Sequence, residues 1–545
     1  MKKTFKLLAA TSLLAVTLAQ PLQAAEKEST ANTLVPLRQA VESIGASVEW
    51  DSKLMQAKVT RGSVQLIVTI GDQTASVNHT QVKMNEKAIL ENEKTIIPLT
   101  TIQEAFHVKI AWNDKEGIAI DSEDTPTLGS HFVHLLQTGQ FEDAFAMMNK
   151  NLQQIMNPAF LQQYWQGNTA VYGIPDKLMM LEQESNPVHN NVSLGYATAQ
   201  SLPFGIIVRF DSEGKIDDLF MPLTPAGNYQ KPSYDNPDQY TEKEIVIGHG
   251  AKALPATLTL PKGEGPFPAV VLVHGSGPND RDETIGSYKT FRDLAVGLAA
   301  QNIAVVRYEK QTREHTLQSG LNPSFTVKEE TIDDSLAAVK ALQGEQLIDA
   351  KRIFVLGHSQ GGMLIPRIVD QDSEQTIAGS IIMAAPATPF EDVLLTQYKD
   401  ILERTKQAGQ PTEGIEQQIA MWEQQMKLLK DPQYSVTNIP KDFMMSNPVW
   451  WFDFSNYYGG EVAKKQEVPL LILQGDNDFQ SKGENLQGWK DALNERKDVA
   501  YKLYPKLNHG FVEYDKPSTG EEYALPGNVP SYVIDDISEW LKKQQ

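Results

Sequence analysis

An apolar run, RIFVLG at Arg352–Gly357, passes through His358-Ser359-Gln360-Gly361-Gly362 directly into a second apolar run, MLIPRIV. No other segment restricts the fold so severely. The first run reads as a buried strand and the second as a helix, so the chain must turn from one to the other within a few residues. That turn is possible only if Ser359, at its apex, takes a strained backbone and if Gly357 and Gly361 carry no side chain to collide. The helix that follows then directs unsatisfied N–H groups, and the positive end of its dipole, at the space above Ser359.

The same alternation runs through the whole C-terminal part. Short strands EIVIG and ATLTLP follow Glu244, then AVVLV at Ala269–Val273 and IAVVRY ending at Tyr308. Between the last two, Phe291, Leu294, Ala295, Leu298 and Ala299 share one helical face, and a further helix is predicted around Ser335–Leu342. GSIIMAAP, LLILQGDNDF and VAYKLY supply later strands. Strands alternating with helices predict a mostly parallel sheet with helices on both faces, an α/β fold. Chemistry in such sheets collects at the carboxyl ends of the strands.

Those ends carry a consistent set of residues. G-x-S-x-G at Gly357–Gly361 makes Ser359 the candidate nucleophile. An alkoxide needs a base, and His509, in KLNHGF just past VAYKLY, is the only histidine after Ser359. The imidazolium needs a carboxylate, and LLILQGDNDF ends in Asp476 and Asp478. Glycine followed three residues later by the acid is the usual arrangement, so Gly475 indicates Asp478, with Asp476 the alternative. HGSG, after AVVLV, supplies a loop whose glycines allow close backbone approach. The oxyanion donors are assigned to the amides of Gln360 and Ser276, with Gly277 the alternative to Ser276. His274 and His358 read as residues that brace their loops.

Taken together, HGSGPNDRDETIG, VVRYEKQTREH, GHSQGG, LILQGDNDFQ and LNHGF resemble the exported esterase branch of the α/β-hydrolases. That branch is related to hydrolases of the dipeptidyl-peptidase and serine-aminopeptidase type. The resemblance covers residues 240–545 and implies a cofactor-free carboxylesterase, without metal, acting on short acyl chains of a small-molecule ester. Phe479 stands where tyrosine is common in the family. Arg307, Tyr308 and Lys310 match a family block and are assigned a structural salt-bridge role. Residues 387–467, far more than an ordinary crossover needs, predict a helical cap. Its Met421, Trp422, Met426, Phe443, Met444, Met445, Trp450, Trp451, Phe452, Phe454, Tyr457 and Tyr458 would pack the cap and collectively offer an apolar pocket. The same triad also cuts amides, so a serine peptidase is the first rival reading; a catalytically retired surface-binding protein is the second.

Ahead of this domain, VPLRQAVESIGASVEWD from Val35 and IPLTTIQEAFHVKIAWN from Ile97 form an internal repeat in which Pro36 aligns with Pro98 and Trp50 with Trp112. Each copy predicts a short helix after the proline, then a strand bearing the tryptophan. Residues 30–124 resemble the small module named after the N-terminal domain of copper amine oxidases, which implies a stalk and possible attachment to the cell envelope. With only His79 and His107 in that region, no copper site is expected. Residues 127–226 read as a second small α+β module, helices from His131 to Leu161 and strands from Val192, with DSEGK at Asp211–Lys215 as a hairpin turn. His131 and His134 lie one helical turn apart without a third ligand and read as surface histidines. Prolines, asparagines and aspartates between Pro225 and Tyr240 mark a linker.

Length and charge agree with this division. A chain of 545 residues exceeds one hydrophobic core. A net charge of −20 repels phosphate backbones and anionic lipid heads, so no nucleic-acid partner is expected. The absence of cysteine removes disulfides, thiolate metal sites and a lipid-anchored N-terminus. Lys2, Lys3 and Lys6, the apolar stretch Leu7–Ala19 and the segment Pro21–Ala25 have the order of an export signal, assigned to residues 1–24, and predict a secreted or cell-surface protein.

Overall fold

The computed structural model describes residues 33–115, 117–200, 203–222 and 227–544. The predicted export signal at 1–24 lies outside them. The chain divides into two compact units, Met1–Asp121 and Ser122–Gln545. Among the described residues no helix is long and apolar enough to cross a membrane.

In the first unit each repeat has the helix and strand that its sequence predicts. Pro36 and Pro98 precede helices Leu37–Glu42 and Leu99–Phe106, and Trp50 and Trp112 lie on the strands Ser47–Asp51 and Ile110–Asn113. Proline fixes φ near the helical value and lacks the N–H that a first helical turn cannot satisfy. The two copies meet through an antiparallel pair, Leu34–Pro36 against Lys94–Pro98, in which Val35 faces Ile97. Between them an antiparallel meander buries Val59, Leu66 and Val68.

The second unit opens with helices Thr125–Gln137 and Pro158–Tyr172 packed on a four-stranded antiparallel meander, Pro175–Ser185, Asn190–Thr198, Phe204–Phe210 and Ile216–Phe220. Asp211 closes the last hairpin by accepting the N–H groups of Glu213 and Lys215 at 2.9 and 3.0 Å. The strand Pro175–Ser185 is absent from the sequence reading because it is an edge strand that buries only Pro175 and Leu178. His131 and His134 are partly exposed, their rings stacked 6.5 Å apart.

The large sheet of this unit contains β1 (Tyr240–Ile247), β2 (Leu254–Pro261), β3 (Phe267–Val273), β4 (Ala304–Tyr308), β5 (Ile348–His358), β6 (Ile377–Met383), β7 (Leu470–Gly475) and β8 (Val499–Tyr504). Their order is β1-β2-β4-β3-β5-β6-β7-β8; β2 is antiparallel to both neighbours and the other pairs are parallel. Side chains alternate across the sheet, as the pleat requires. Val271, Val306, Val355 and Ile472 enter one core with helices Asp333–Gln343 and Gln360–Gln371; Val270, Val305, Leu356 and Leu473 enter the other with Thr290–Ala299 and Ser531–Lys543. This is the α/β-hydrolase architecture, helices on both faces of a mostly parallel sheet.

Two insertions shape its upper edge. Between β6 and β7, helices Phe390–Gln407, Glu413–Lys430 and Pro448–Phe454 form the cap, held by an aromatic cluster of Phe390, Trp450, Trp451 and Phe454. After β4, short helices Gln311–Glu314 and Thr316–Leu321 reach the small antiparallel sheet. Leu317 and Leu321 join its core, and the Leu317 N–H donates to Asp218 Oδ2 at 3.0 Å. That contact explains why the α+β part and the large sheet form one compact unit.

Candidate active site

β5 delivers Ser359 to the start of helix Gln360–Gln371 with φ 52° and ψ −120°, a conformation that β-carbon sterics disfavour. The neighbouring glycines make it attainable. A Cβ on Gly357 would lie 2.5 Å from the Gly361 backbone, and one on Gly361 would lie 2.4 Å from His274 O. The Ser359 N–H donates to Met383 O at 2.9 Å, which ties the turn to the end of β6.

His509, on the loop after β8, has Nε2 3.1 Å from Ser359 Oγ and Nδ1 2.8 Å from Asp478 Oδ2. Asp478 is buried, and its Oδ1 accepts the N–H groups of Gln480 and Ser481, each at 2.8 Å. These amides hold the carboxylate so that the other oxygen meets the imidazole. Asp476 is exposed and does not take part in this contact. The residues proposed as oxyanion donors also sit beside the serine. A Cβ on Gly275 would fall 3.1 Å from Ser359 Cβ, so the loop that carries Ser276 and Gly277 packs against the serine at Gly275. Among the described residues the N–H groups of Gln360, Ser276 and Gly277 have no hydrogen-bond acceptor.

A buried polar layer supports these loops. Glu283 Oε1 accepts the Gly275 N–H at 2.6 Å, while Oε2 lies 3.0 Å from His358 Nδ1. The other nitrogen of His358 lies 2.8 Å from His509 O. Burial alone would raise the Glu283 carboxyl and lower the His358 imidazole; their mutual attraction reverses both, so Glu283 sits below and His358 above its ordinary value. His274 is packed between Phe291 and Tyr308, and burial pushes it down to about 4. His358 thus ties the Glu283 side chain to the loop of His509, as a brace would, whereas His274 is held by packing against the two rings. Arg307 pairs with Asp282 and Glu242, and Lys310 with Glu330 at 2.7 Å.

Glu283, Glu330 and Trp450 are the functional neighbours that sequence reading misses as partners. Glu283 is one of four acidic or basic residues in DRDE, and nothing in that string separates it from its half-buried neighbours. Of the cap side chains, Trp422, Met426 and Phe452 are buried and Phe454 joins the core of the large sheet, whereas Met444 and Tyr458 face outward. Beside the acid loop, a cavity of about 230 Å³ opens under helix Phe390–Gln407, lined by Ala387, Val393, Thr396, Gln397, Phe479 and Gln480. Among the described residues no cluster of three or more histidine, aspartate or glutamate side chains is placed to hold a metal ion.

This arrangement can be compared with known proteins. Residues 19–120 match the family model described as copper amine oxidase N-terminal domain, and residues 265–516 the one described as serine aminopeptidase, S33. Esterase EstD of Thermotoga maritima is 32% identical over 420 residues, covering 76% of this chain and 94% of that protein. The chain belongs to the EstD family. Among solved structures, an esterase from Pyrococcus furiosus aligns with a TM-score of 0.36 at 15% identity over 59% of this chain and 98% of its own. Est1E from Butyrivibrio proteoclasticus aligns with a TM-score of 0.35 at 16% identity, over 55% and 98%. The match to EstD spans more of this chain than the large sheet and cap alone, so this EstD-family member shares with its relative much of what precedes that sheet.

Proposed function

We propose that the protein is a secreted serine carboxylesterase that hydrolyses short-chain acyl esters through an acyl-enzyme on Ser359. The observation that carries this reading is the position of one imidazole: His509 lies within hydrogen-bond reach of the Ser359 hydroxyl on one side and of a buried carboxylate, Asp478, on the other. His509 takes the hydroxyl proton as Oγ attacks the ester carbonyl. The carbonyl oxygen gains negative charge beside the free N–H groups of Gln360 and Ser276. The bond to the alkoxy oxygen then breaks, with the proton passing from His509 to the departing alcohol. Water, deprotonated by the same imidazole, attacks the acyl carbon, releases the acid and restores Ser359.

Kinship with an esterase favours an ester as substrate. The match to a serine aminopeptidase model favours the rival, an amide-cleaving enzyme, because the same three residues serve both reactions. Turnover of p-nitrophenyl acetate and butyrate, measured beside aminoacyl p-nitroanilides, separates the two. Ester turnover is expected to dominate; dominant amide turnover would reverse the assignment. Export rests on the N-terminal order of Lys2, Lys3 and Lys6, the apolar Leu7–Ala19 stretch and Pro21–Ala25, and envelope attachment on the repeat at 30–124. Mass analysis of the mature N-terminus, expected near Ala25, tests the first.

A further inference from the structure

Lys310, two residues past β4, is 1% exposed although it carries an ammonium group. Nζ makes two close contacts. One is to Glu330 Oε1 at 2.7 Å, which balances its charge. The other is to Gly275 O, also at 2.7 Å, and charge balance does not require it.

That carbonyl belongs to the same peptide group as the Ser276 N–H. An ammonium hydrogen-bonded to the oxygen of a peptide draws density from its nitrogen, so the N–H at the other end becomes a stronger donor. The effect is larger in a buried site, where water does not screen it. Asn279 Nδ2 adds a second, neutral donor to the same oxygen at 3.1 Å. The far side of the ion pair is also held. Glu330 Oε2 accepts the Trp450 indole N–H at 2.5 Å from the cap, and lies 3.4 Å from the side-chain amide of Gln360.

We propose that Lys310 is a positioning residue for the reaction: it fixes the plane of the Gly275–Ser276 peptide and strengthens the Ser276 N–H as a donor to the oxyanion. The proposal rests on the reading of Ser276 as an oxyanion donor. Lys310 touches no reacting atom, so its contribution appears in kcat and in affinity for a bound oxyanion, not in KM.

The test compares the full-length wild type with Lys310→Met/Glu330→Gln, which removes the buried charge together with its partner, and with Asn279→Ala, which removes the neutral donor. Each is assayed with p-nitrophenyl butyrate and with an alkyl trifluoromethyl ketone, whose serine adduct places an alkoxide among the same donors. The double variant is expected to lose on the order of 10-fold in kcat and a matching factor in ketone affinity, with KM within about 2-fold. Asn279→Ala, which leaves the buried pair intact, is expected to show a smaller loss of the same kind. Should the double variant not fold, Lys310→Arg, which keeps the charge opposite Glu330 but displaces the donor from Gly275 O, takes its place with the same expected loss in kcat and ketone affinity. An unchanged kcat and ketone affinity in the folded variants overturns the proposal. A wild type inactive towards every ester defeats instead the reading on which it rests.

Discussion

Replacing Asp478 by asparagine exchanges a single carboxylate oxygen for an NH2 group, and the geometry dictates which one. Oδ1 accepts two backbone N–H groups at 2.8 Å, so the amide oxygen of asparagine must stay there. The NH2 is therefore turned towards His509 Nδ1, 2.8 Å away in the native site. Two donors cannot face each other, so the imidazole must carry its proton on Nε2 and present Nδ1 as the acceptor. Nε2, 3.1 Å from Ser359 Oγ, then has no lone pair to receive the serine proton. The loss expected for a wrong tautomer in intact geometry is about 10⁴ in kcat, or roughly 5 kcal/mol in the barrier. The assay is p-nitrophenyl butyrate turnover, with a thermal melt to show that the variant is folded. Asp476→Asn is the control: that side chain is exposed, and its kcat should stay within about 2-fold. A folded Asp478→Asn enzyme that keeps more than about a tenth of kcat, or an equal loss in Asp476→Asn, would refute the reasoning.

Glu283→Ala strips His358 of its buried partner and the Gly275 N–H of its acceptor, and should lower unfolding free energy in urea by about 3–5 kcal/mol. Glu283→Ala/His358→Ala should lose less than the sum of the single variants, and strict additivity would show that the two are not coupled. His189, with no exposed side-chain surface, joins Asp217 at 3.0 Å and Glu314 at 2.8 Å where the α+β part meets the segment after β4. Burial alone would lower its pKa, but these two hydrogen bonds raise it to about 9. A raised value means that the stabilisation is complete below about 6.5 and is lost as pH climbs through about 9. Between these limits the wild type should lose on the order of 3 kcal/mol more than His189→Gln in urea titrations. Parallel curves would show that His189 is neutral throughout.

The parts of the fold that were legible in sequence are those set by local patterning. The strand–glycine–helix passage around Ser359 admits one backbone solution, and its flanking glycines sit against main chain as the sterics demand. The placement of Asp478 and His509 follows because each lies on a loop just past a strand of the large sheet, and strand ends in a parallel sheet lie on one edge. The tryptophan repeat was legible for the same reason, since proline and a fixed helix–strand spacing act within a few residues. What escaped depends on contacts between distant segments. Glu283 takes φ 49°, which turns it under the loop, yet its immediate sequence is a string of charges suited equally to solvent. The strand Pro175–Ser185 holds its apolar residues in one unbroken run, Leu178–Leu181, so no alternation marks it. Leu317 and Leu321 give no sign in sequence that they belong to the core of another sheet.

The central claim is that Ser359 is a nucleophile activated by His509. Reaction of the full-length protein with a fluorophosphonate, followed by mass analysis of its peptides, measures this most directly. A single adduct on Ser359, absent from Ser359→Ala and formed far more slowly in His509→Ala, is the expected result. An adduct on another residue, or labelling that persists undiminished in Ser359→Ala, would contradict it.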